Sequence, residues 1–449
     1  YALVGELGTW GRSLPSVLPS VLPSGAAHTK IPWRMMQWTT TAIVALSPMQ
    51  ILYAREARGY SLSLCITVLS TVILLKALRA TQSGRGDRRL WILYALSLIV
   101  GLYTQLLFLL VMVTHGAFIW FLEGDRPARR FARAFANYGR AFLGTLVAFS
   151  PWVYFILTYR QQIGWLNRDF PLEKLIQRWF FNLSAMVFDA QVGVFNRPLF
   201  DISAVNGDPI RLLEMPGLAI AVVSIVSLII ASLVWMVRSQ PRSLWLLPVL
   251  WAGIPAPFAL LDLISGGQRS TIPRYFLVSY LGLAIILGWA IATLWLQVRH
   301  ASRWQRWGYG LMLMGLTVLP LSSAYSAAQL ETWWNKYTSY DVPAIAHTLT
   351  ESLPPADPTR STPAPQVLLT SANPLRLLSL TPRLPDNFVL HIVTPDAPVP
   401  EPLPTLPQAY AYYPPELWLP DTATPNAPPP IRPTAFPQLW QYEPSPAVD

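Results

Sequence analysis

The chain has 449 residues, of which 53% are hydrophobic and only 12% are charged. An ordinary soluble domain carries about twice that charged share, so the composition excludes a soluble globular protein. Several apolar runs reach the roughly 20 residues that a helix needs to cross a hydrocarbon core of about 30 Å. The 19 tryptophans and 18 tyrosines fit two membrane–water interfaces marked by aromatic rings. We therefore expect a polytopic integral membrane protein surrounded by membrane lipids.

The formal net charge of +10 arises from lysines and arginines that fall mainly in short loops between apolar runs. This is the positive-inside pattern of membrane proteins, so no nucleic-acid partner is expected. The single cysteine, Cys65, excludes an intramolecular disulfide. The five histidines lack the spacing of metal ligands, and neither a metal nor another cofactor is predicted.

Four connections between apolar runs, 76–90, 123–140, 239–242 and 298–306, are rich in arginine and are predicted to be cytoplasmic. The run 91–122 has such a loop at each end, so it must cross the membrane and return. A straight helix of that length would measure about 48 Å, too long for one crossing. We predict two short helices that turn near Tyr103-Thr104-Gln105. The predicted runs are 33–54, 59–79, 91–122, 141–160, 216–238, 243–264, 275–297 and 306–325.

This alternation predicts a non-cytoplasmic location for the Arg55–Arg58 cluster, for 161–215, for 265–274 and for the tail after Tyr325. The segment 161–215 has balanced charge and an apolar middle, which is predicted to lie at the membrane interface. It is either an amphipathic connector or a segment that contacts substrate.

The C-terminal region differs from the membrane part and is rich in proline. Strand-like runs at 367–370 and 388–393 flank a helical pattern at 374–380. This predicts a membrane domain at 1–325 and a small external α/β appendage at 326–449. Residues 420–449 are expected to be unfolded.

Two external clusters could bind an anion. Residues 53–60 read Tyr-Ala-Arg-Glu-Ala-Arg-Gly-Tyr, and their arginines could either reach lipid headgroups or clamp a phosphate with guanidinium forks. Residues 268–275 read Gln-Arg-Ser-Thr-Ile-Pro-Arg-Tyr, where Pro273 is suited to begin a helix. Arg274 would then stand in a first turn, where the helix dipole disfavours a cation. We therefore expect a lipid headgroup, a protein carboxylate or a substrate phosphate as its partner.

The YAREARGY block after Ser47-Pro48, the PRY triplet and the C-terminal appendage together resemble the family 39 glycosyltransferases. These are bacterial relatives of the dolichyl-phosphate-mannose protein mannosyltransferases. The resemblance runs from Arg12 to residue 395, and its most specific part is the REARGY block. It implies a GT-C fold, which is a helical bundle with its active site in external loops, located in the bacterial plasma (inner) membrane. It further implies a polyprenyl-phosphate sugar donor and an acceptor that is an unknown glycan, lipid or protein.

The mechanism implied by the resemblance is an inverting displacement. A carboxylate in the first external loop acts as general base on the acceptor, while cations stabilise the departing lipid phosphate. Arg58, with Glu56 as its orienting partner, and Arg274 match the family's donor phosphate-binding positions. Glu6 is the only acid before Glu56. The catalytic aspartate is therefore expected upstream of Tyr1, in an N-terminal part that this sequence lacks.

Two other functions remain open from the sequence. A lipid-linked sugar transporter or flippase would carry ionisable residues buried in the middle of its spans. Only Lys76 and Asp262 lie within predicted spans here, and both are close to a span end. A non-catalytic, degenerate relative would agree with the missing acidic motif. We expect a hexosyltransferase of the cell envelope.

Overall fold

The computed structural model describes most of the helical region and part of the C-terminal region. The described residues are 2–13, 33–56, 58–84, 87–123, 128–158, 171–189, 216–298, 301–329, 341–352, 367–371, 373–394, 396, 408–412, 414, 431–435 and 438–442. They belong to two compact units, of which the first extends to Gln329 and the second includes everything described from residue 341 onward. This division lies four residues beyond the boundary at 325 that the sequence predicts.

The first unit is helical. Its helices are α1 (Ala2–Ser13), α2 (Trp33–Leu46), α3 (Pro48–Ala54), α4 (Tyr60–Gln82), α5 (Arg88–Thr104), α6 (Phe108–Glu123), α7 (Ala128–Thr158), α8 (Leu172–Ser184), α9 (Pro216–Ser239), α10 (Arg242–Ala252), α11 (Ala256–Ser265), α12 (Leu277–Val298) and α13 (Arg303–Gln329).

Five helical stretches of the described chain are long and apolar enough to cross a membrane, namely Tyr60–Gln82, Ala128–Thr158, Pro216–Ser239, Arg242–Ser265 and Leu277–Val298. The expected class, a helical membrane protein with a small sheet, is confirmed, whereas the GT-C arrangement remains a prediction. The expected runs 33–54 and 91–122 are each divided into two shorter helices. The first division falls at Ser47, where Pro48 begins a new helix.

The run 91–122 forms the predicted hairpin, with α5 ending at Thr104 and α6 beginning at Phe108. The hydroxyl of Tyr94 lies 3.0 Å from His115 Nδ1. In one straight helix these residues would be about 31 Å apart, so the chain has folded back on itself. Gly59, just before α4, lies close to the hairpin turn, because a Cβ there would be 3.0 Å from Thr104 Cγ2.

A buried hydrogen-bond chain runs through His115, which is fully buried. Thr71 donates its only hydroxyl proton to the Thr67 carbonyl at 2.6 Å. The His115 Nε2–H therefore donates to Thr71 Oγ1, 2.9 Å away, and Nδ1 lies 3.0 Å from the Tyr94 hydroxyl. His115, with both ring nitrogens hydrogen-bonded, thus joins α4, α5 and α6.

Helix α12 is the centre of the unit and packs against α2, α9, α10 and α13. Two glycines allow the closest of these approaches. A Cβ on Gly282 would lie 2.6 Å from the Pro248 carbonyl oxygen of α10, and one on Gly288 would lie 2.8 Å from the Thr40 nitrogen of α2. Small residues that let helix backbones approach are typical of packing in membranes, where apolar surface alone drives little association.

The second unit contains helices α14 (Val342–Glu351) and α15 (Pro374–Leu380). Its strands are β1 (Val367–Ser371), β2 (Phe388–Ile392), β3 (Gln408–Tyr412), β4 (Ile431–Pro433) and β5 (Leu439–Tyr442). They form one sheet in the order β2-β1-β3-β5-β4, with β1 parallel to both β2 and β3. Strands β3, β5 and β4 are joined by antiparallel pairing.

The prediction that residues 420–449 are unfolded was wrong at 431–433 and 439–442, which form β4 and β5. Leu439 of β5 is fully buried in the hydrophobic core of this unit. Pairing of β5 with β3 and of β4 with β5, which no local pattern reveals, orders these short strands despite the surrounding prolines. The predicted α/β character of the appendage is present in the described residues.

Candidate functional site

The site is built from the short connection between α3 and α4. Arg58 is exposed there, and its Nη1 donates to the Tyr60 hydroxyl at 3.4 Å. Its backbone N–H donates to the Glu56 carbonyl at 2.7 Å, which closes a tight turn before α4. This main-chain hydrogen bond is the contact the structure shows between the two residues. The predicted orienting role of the Glu56 carboxylate stays a prediction.

Tyr60 is the first residue of α4 and belongs to a buried aromatic pair. Its ring meets the ring of Tyr53 edge to face, with centroids 5.4 Å apart and planes at 74°. Both side chains are buried, Tyr53 to 3% and Tyr60 to 9% exposure. Such pairs contribute about 0.5–1.5 kcal/mol beyond the area that they bury. The phenol beside Arg58 is therefore held by the end of α3.

Arg274 reaches the same aromatic pair from a distant part of the sequence. It lies in a single 3-10 turn, Pro273–Tyr275, directly before α12, with its guanidinium carbon 5.3 Å from the centre of the Tyr275 ring. Burial by itself lowers the pKa of Arg274. The pKa is nevertheless raised, because a hydrogen bond to Tyr275 and the electrostatic influence of Tyr275, Tyr60 and Tyr53 outweigh burial. Arg274 thus lies within electrostatic reach of Tyr60, the phenol to which Arg58 donates a hydrogen bond.

Asp262, a buried residue near the end of α11, holds the loop that carries Arg274. Its Oδ1 accepts from Arg269 Nη1 at 3.1 Å. Its Oδ2 accepts from both the backbone N–H and the hydroxyl of Ser270, each at 2.7 Å. A buried carboxylate needs such partners to offset its desolvation. Asp262 is therefore a structural acid here, and not the isolated mid-span charge that a transporter predicts.

Helix α8 also holds this loop, through three side-chain hydrogen bonds. Trp179 Nε1 donates to Ser270 Oγ at 2.8 Å, and Asn182 Nδ2 donates to the Thr271 carbonyl at 2.9 Å. A third hydrogen bond joins Arg178 Nη1 to Gln268 Oε1 at 3.2 Å. The amphipathic segment predicted within 161–215 is thus an α-helix docked on the Arg274 loop. The apolar middle of 161–215, residues 179–195, extends beyond the described residues, which end at Asp189 here.

One more buried acid borders the site. Asp189 is 3% exposed, and its backbone N–H donates to Ser323 Oγ of α13 at 3.1 Å. It lies within electrostatic reach of Tyr280 on α12, as does Tyr53. Asp189 could not be singled out from sequence, because one aspartate among the balanced charges of the segment 161–215 carries no pattern.

Glu6, the only acid before Glu56, lies far from this site. Its carboxylate forms an ion pair with Arg79, and Arg79 also donates to the Glu6 carbonyl at 2.9 Å. Arg79 stands near the last turn of α4, about 28 Å from Tyr60 at its beginning. Glu6 therefore cannot act on a group bound near Arg58.

Two of the basic residues predicted to be cytoplasmic lie at this opposite end. Arg79 is one of them, and Arg242 at the start of α10 lies 5.5 Å from the ring of Phe121 at the end of α6. The predicted turn of the hairpin lies beside Gly59, at the end of α4 that carries Arg58. The sidedness of the loops in the membrane stays a prediction.

The arrangement can bind a phosphate. The Arg58 guanidinium donates to the Tyr60 phenol, and Arg274, on a loop that four side chains keep in place, lies within electrostatic reach of the same phenol. In the described ranges, no group of three or more His, Cys, Asp or Glu residues is placed to hold a metal ion. Sequence reasoning found both arginines but missed Tyr53 and the bracing residues, since only the fold brings them to the loop.

Comparison with family models, with curated proteins and with solved structures gives no match.

Proposed function

We propose that the chain is a membrane glycosyltransferase of the family 39 type, which transfers a sugar from a polyprenyl-phosphate donor to an acceptor on the non-cytoplasmic side. The observation that supports this most is that Arg58 donates to the Tyr60 hydroxyl while Arg274 lies within electrostatic reach of the same phenol. The two arginines come from the two sequence blocks that resemble the family, and nothing in their local sequence requires both to lie near Tyr60.

The chemistry of the proposed reaction explains why two arginines are useful. When the bond between the sugar and the lipid phosphate breaks, negative charge builds up on the departing phosphate. Cations that are already in position stabilise this charge without having to reorganise, which lowers the barrier to transfer. A guanidinium fork can also bind two phosphate oxygens at once, which a lysine cannot do.

The fixed loop geometry fits this role. Asp262 and helix α8 hold the backbone that leads to Arg274, while the Tyr53 ring holds Tyr60 beside Arg58. A binding group must be kept within a fraction of an ångström of its productive position to contribute fully. The resemblance assigns the general base to a first external loop, so we assign that role to no described residue.

The test is a transfer assay with the purified full-length protein in liposomes, including the first external loop to which the resemblance assigns the general base. Polyprenyl-phosphate donors labelled in the sugar, with mannose and glucose as separate probes, are supplied together with membranes of the parent cell as a source of acceptor. We expect the label to move covalently to an acceptor and free polyprenyl phosphate to accumulate. Movement of intact donor across the bilayer without cleavage would support a flippase and overturn the proposal.

A further inference from the structure

A groove on the first turns of α13 lies outside the site described above. Its cavity has a volume of about 320 Å³ and is lined by Arg303, Arg306, Trp307, Gly310, Leu311 and Met314. These positions recur at intervals of three and four residues, so they form one face of the helix. The groove is therefore basic at the beginning of the helix and apolar over the next two turns.

The arginines of this groove are far from any acid in the sequence. No aspartate or glutamate occurs between Asp262 and Glu331, although the intervening segment includes α12 and α13. The Nε of Arg306 donates to the Ala301 carbonyl at 2.8 Å, which fixes its guanidinium at the helix end. The helix dipole disfavours cations in the first helical turn, where Arg303 and Arg306 lie. An anion bound between these two arginines would therefore be stabilised by both of their charges.

Two N–H groups of this helix end are satisfied by its own side chains. The N–H of Ser302 donates to Gln305 Oε1 at 3.0 Å, and the N–H of Gln305 donates to Ser302 Oγ at 3.4 Å. This reciprocal pair is a capping box. These two N–H groups are therefore not available to an anion, and the arginine side chains are the charged groups that would bind it.

The apolar part of the groove has space for a hydrocarbon chain. A Cβ placed on Gly310 would meet no atom within 4 Å, and Leu311 and Met314 are both more than half exposed. Trp304 and Trp307 are also exposed, at 86% and 66%, and tryptophan favours the headgroup level of a bilayer. From Arg306 to Met314 the helix rises about 12 Å, which spans the headgroup boundary and the upper part of an acyl chain.

We propose that this groove binds an anionic phospholipid, with its phosphate between Arg303 and Arg306 and one acyl chain over Gly310, Leu311 and Met314. The charge complementarity of the two arginines selects an anionic headgroup. The apolar floor selects a lipid over a soluble phosphate compound, which would leave the floor uncovered. This inference does not depend on the proposed transferase activity.

The test is native mass spectrometry of the full-length protein released from detergent micelles that contain phosphatidylglycerol and phosphatidylcholine in equal amounts. The wild type should retain phosphatidylglycerol preferentially. The double variant Arg303→Ala/Arg306→Ala should lose that preference, with affinity falling about fivefold for each arginine removed. The matched control, Arg129→Ala/Arg130→Ala, removes two exposed arginines from the first turn of α7 and should retain the lipid.

A second variant tests the groove independently of charge. Gly310→Leu fills the open space while leaving both arginines in place, and it should also reduce phosphatidylglycerol retention. Inorganic phosphate at millimolar concentration should not displace the lipid. Equal losses in the α7 control and the α13 variant, undiminished retention in Gly310→Leu, or displacement by phosphate alone would each overturn the proposal. If the double alanine variant does not fold, Gly310→Leu decides the outcome.

Discussion

The Nη1 atom of Arg58 lies 3.4 Å from the hydroxyl of Tyr60, at the beginning of α4. The same hydroxyl-bearing ring lies against Tyr53 and within electrostatic reach of Arg274. Both arginines therefore interact with the same buried phenol, although they are more than 200 residues apart in sequence.

Replacing Tyr60 by Phe should keep the ring packed against Tyr53 but remove the hydrogen bond to Arg58. A bond of this kind contributes about 1 kcal/mol, so binding of polyprenyl phosphate should weaken by about fivefold. Titration of the purified protein with the lipid phosphate measures this change. Tyr138→Phe is the control, because it also removes a buried hydrogen bond, to the Met112 carbonyl, but lies on α7. Equal weakening in both variants would deny Tyr60 a specific role.

Replacing Asp262 by Asn should destabilise the first unit. Asparagine has one oxygen acceptor, so it cannot accept from Arg269 with one oxygen and from Ser270 with another, as Asp262 does. Breaking such a buried ion pair costs about 3–5 kcal/mol. Thermal unfolding in detergent should show a clearly lower midpoint. Asp87→Asn is the matched control, since Asp87 is an N-cap whose side chain accepts from Arg89 N–H, and asparagine caps equally well. A wild-type midpoint for Asp262→Asn would show that Asp262 does not brace the loop.

Replacing His115 by Leu should destabilise the hairpin because the buried hydroxyl of Tyr94 loses this partner. Thr71 keeps its bond to the Thr67 carbonyl, so the cost of about 1–3 kcal/mol falls mainly on Tyr94. The double variant His115→Leu/Tyr94→Phe should recover much of the loss, since both polar groups are then removed. A denaturant unfolding series of the wild type, the single variants His115→Leu and Tyr94→Phe and the double variant measures the coupling. Additive losses in the double variant would contradict the hydrogen-bond chain.

The membrane orientation can be read from single cysteines introduced after Cys65→Ala. Cysteines at Ser83 and Arg130 should be protected from a membrane-impermeant maleimide in intact cells, whereas those at Ser265 and Asp386 should react. All four positions are exposed in the structure. The arginine-rich loops fix this expectation through the positive-inside rule. Labelling of a cysteine at position 130 in intact cells would contradict the predicted orientation of the bundle.

Much of the helical architecture could be predicted because long apolar runs and loop charges act locally. The hairpin could be predicted because run 91–122 is too long for one crossing and has an arginine-rich loop at each end. The Tyr94–His115 contact confirms it. The order of β4 and β5 could not be predicted, since strands of three and four residues gain stability only from pairing, β5 with the distant β3 and β4 with β5. The local amino-acid composition carries no information about pairing with a strand that is distant in sequence.

The candidate site shows the same division. Arg58 and Arg274 were identified because charged residues at a membrane boundary stand out in an apolar sequence. Trp179 and Asp262 could not be assigned as supports, because their hydrogen bonds depend on how α8 and α11 meet the loop. Glu6 could not be excluded either until its pairing with Arg79 placed it at the opposite end of α4.

The central claim is that Arg58 and Arg274 together hold the phosphate of a polyprenyl lipid. It is tested most directly by the affinity for polyprenyl phosphate itself, which needs no knowledge of the sugar or the acceptor. The wild type, Arg58→Ala, Arg274→Ala, both Arg→Lys variants and the control Arg55→Ala are titrated with the lipid in nanodiscs of neutral phospholipid. Each Ala variant should lose about tenfold or more in affinity, since a hydrogen bond to a charged group contributes about 1.5–3 kcal/mol. The Lys variants should recover only part of it, because an ammonium cannot reproduce the fork. Near-wild-type affinity in both Ala variants would contradict the claim.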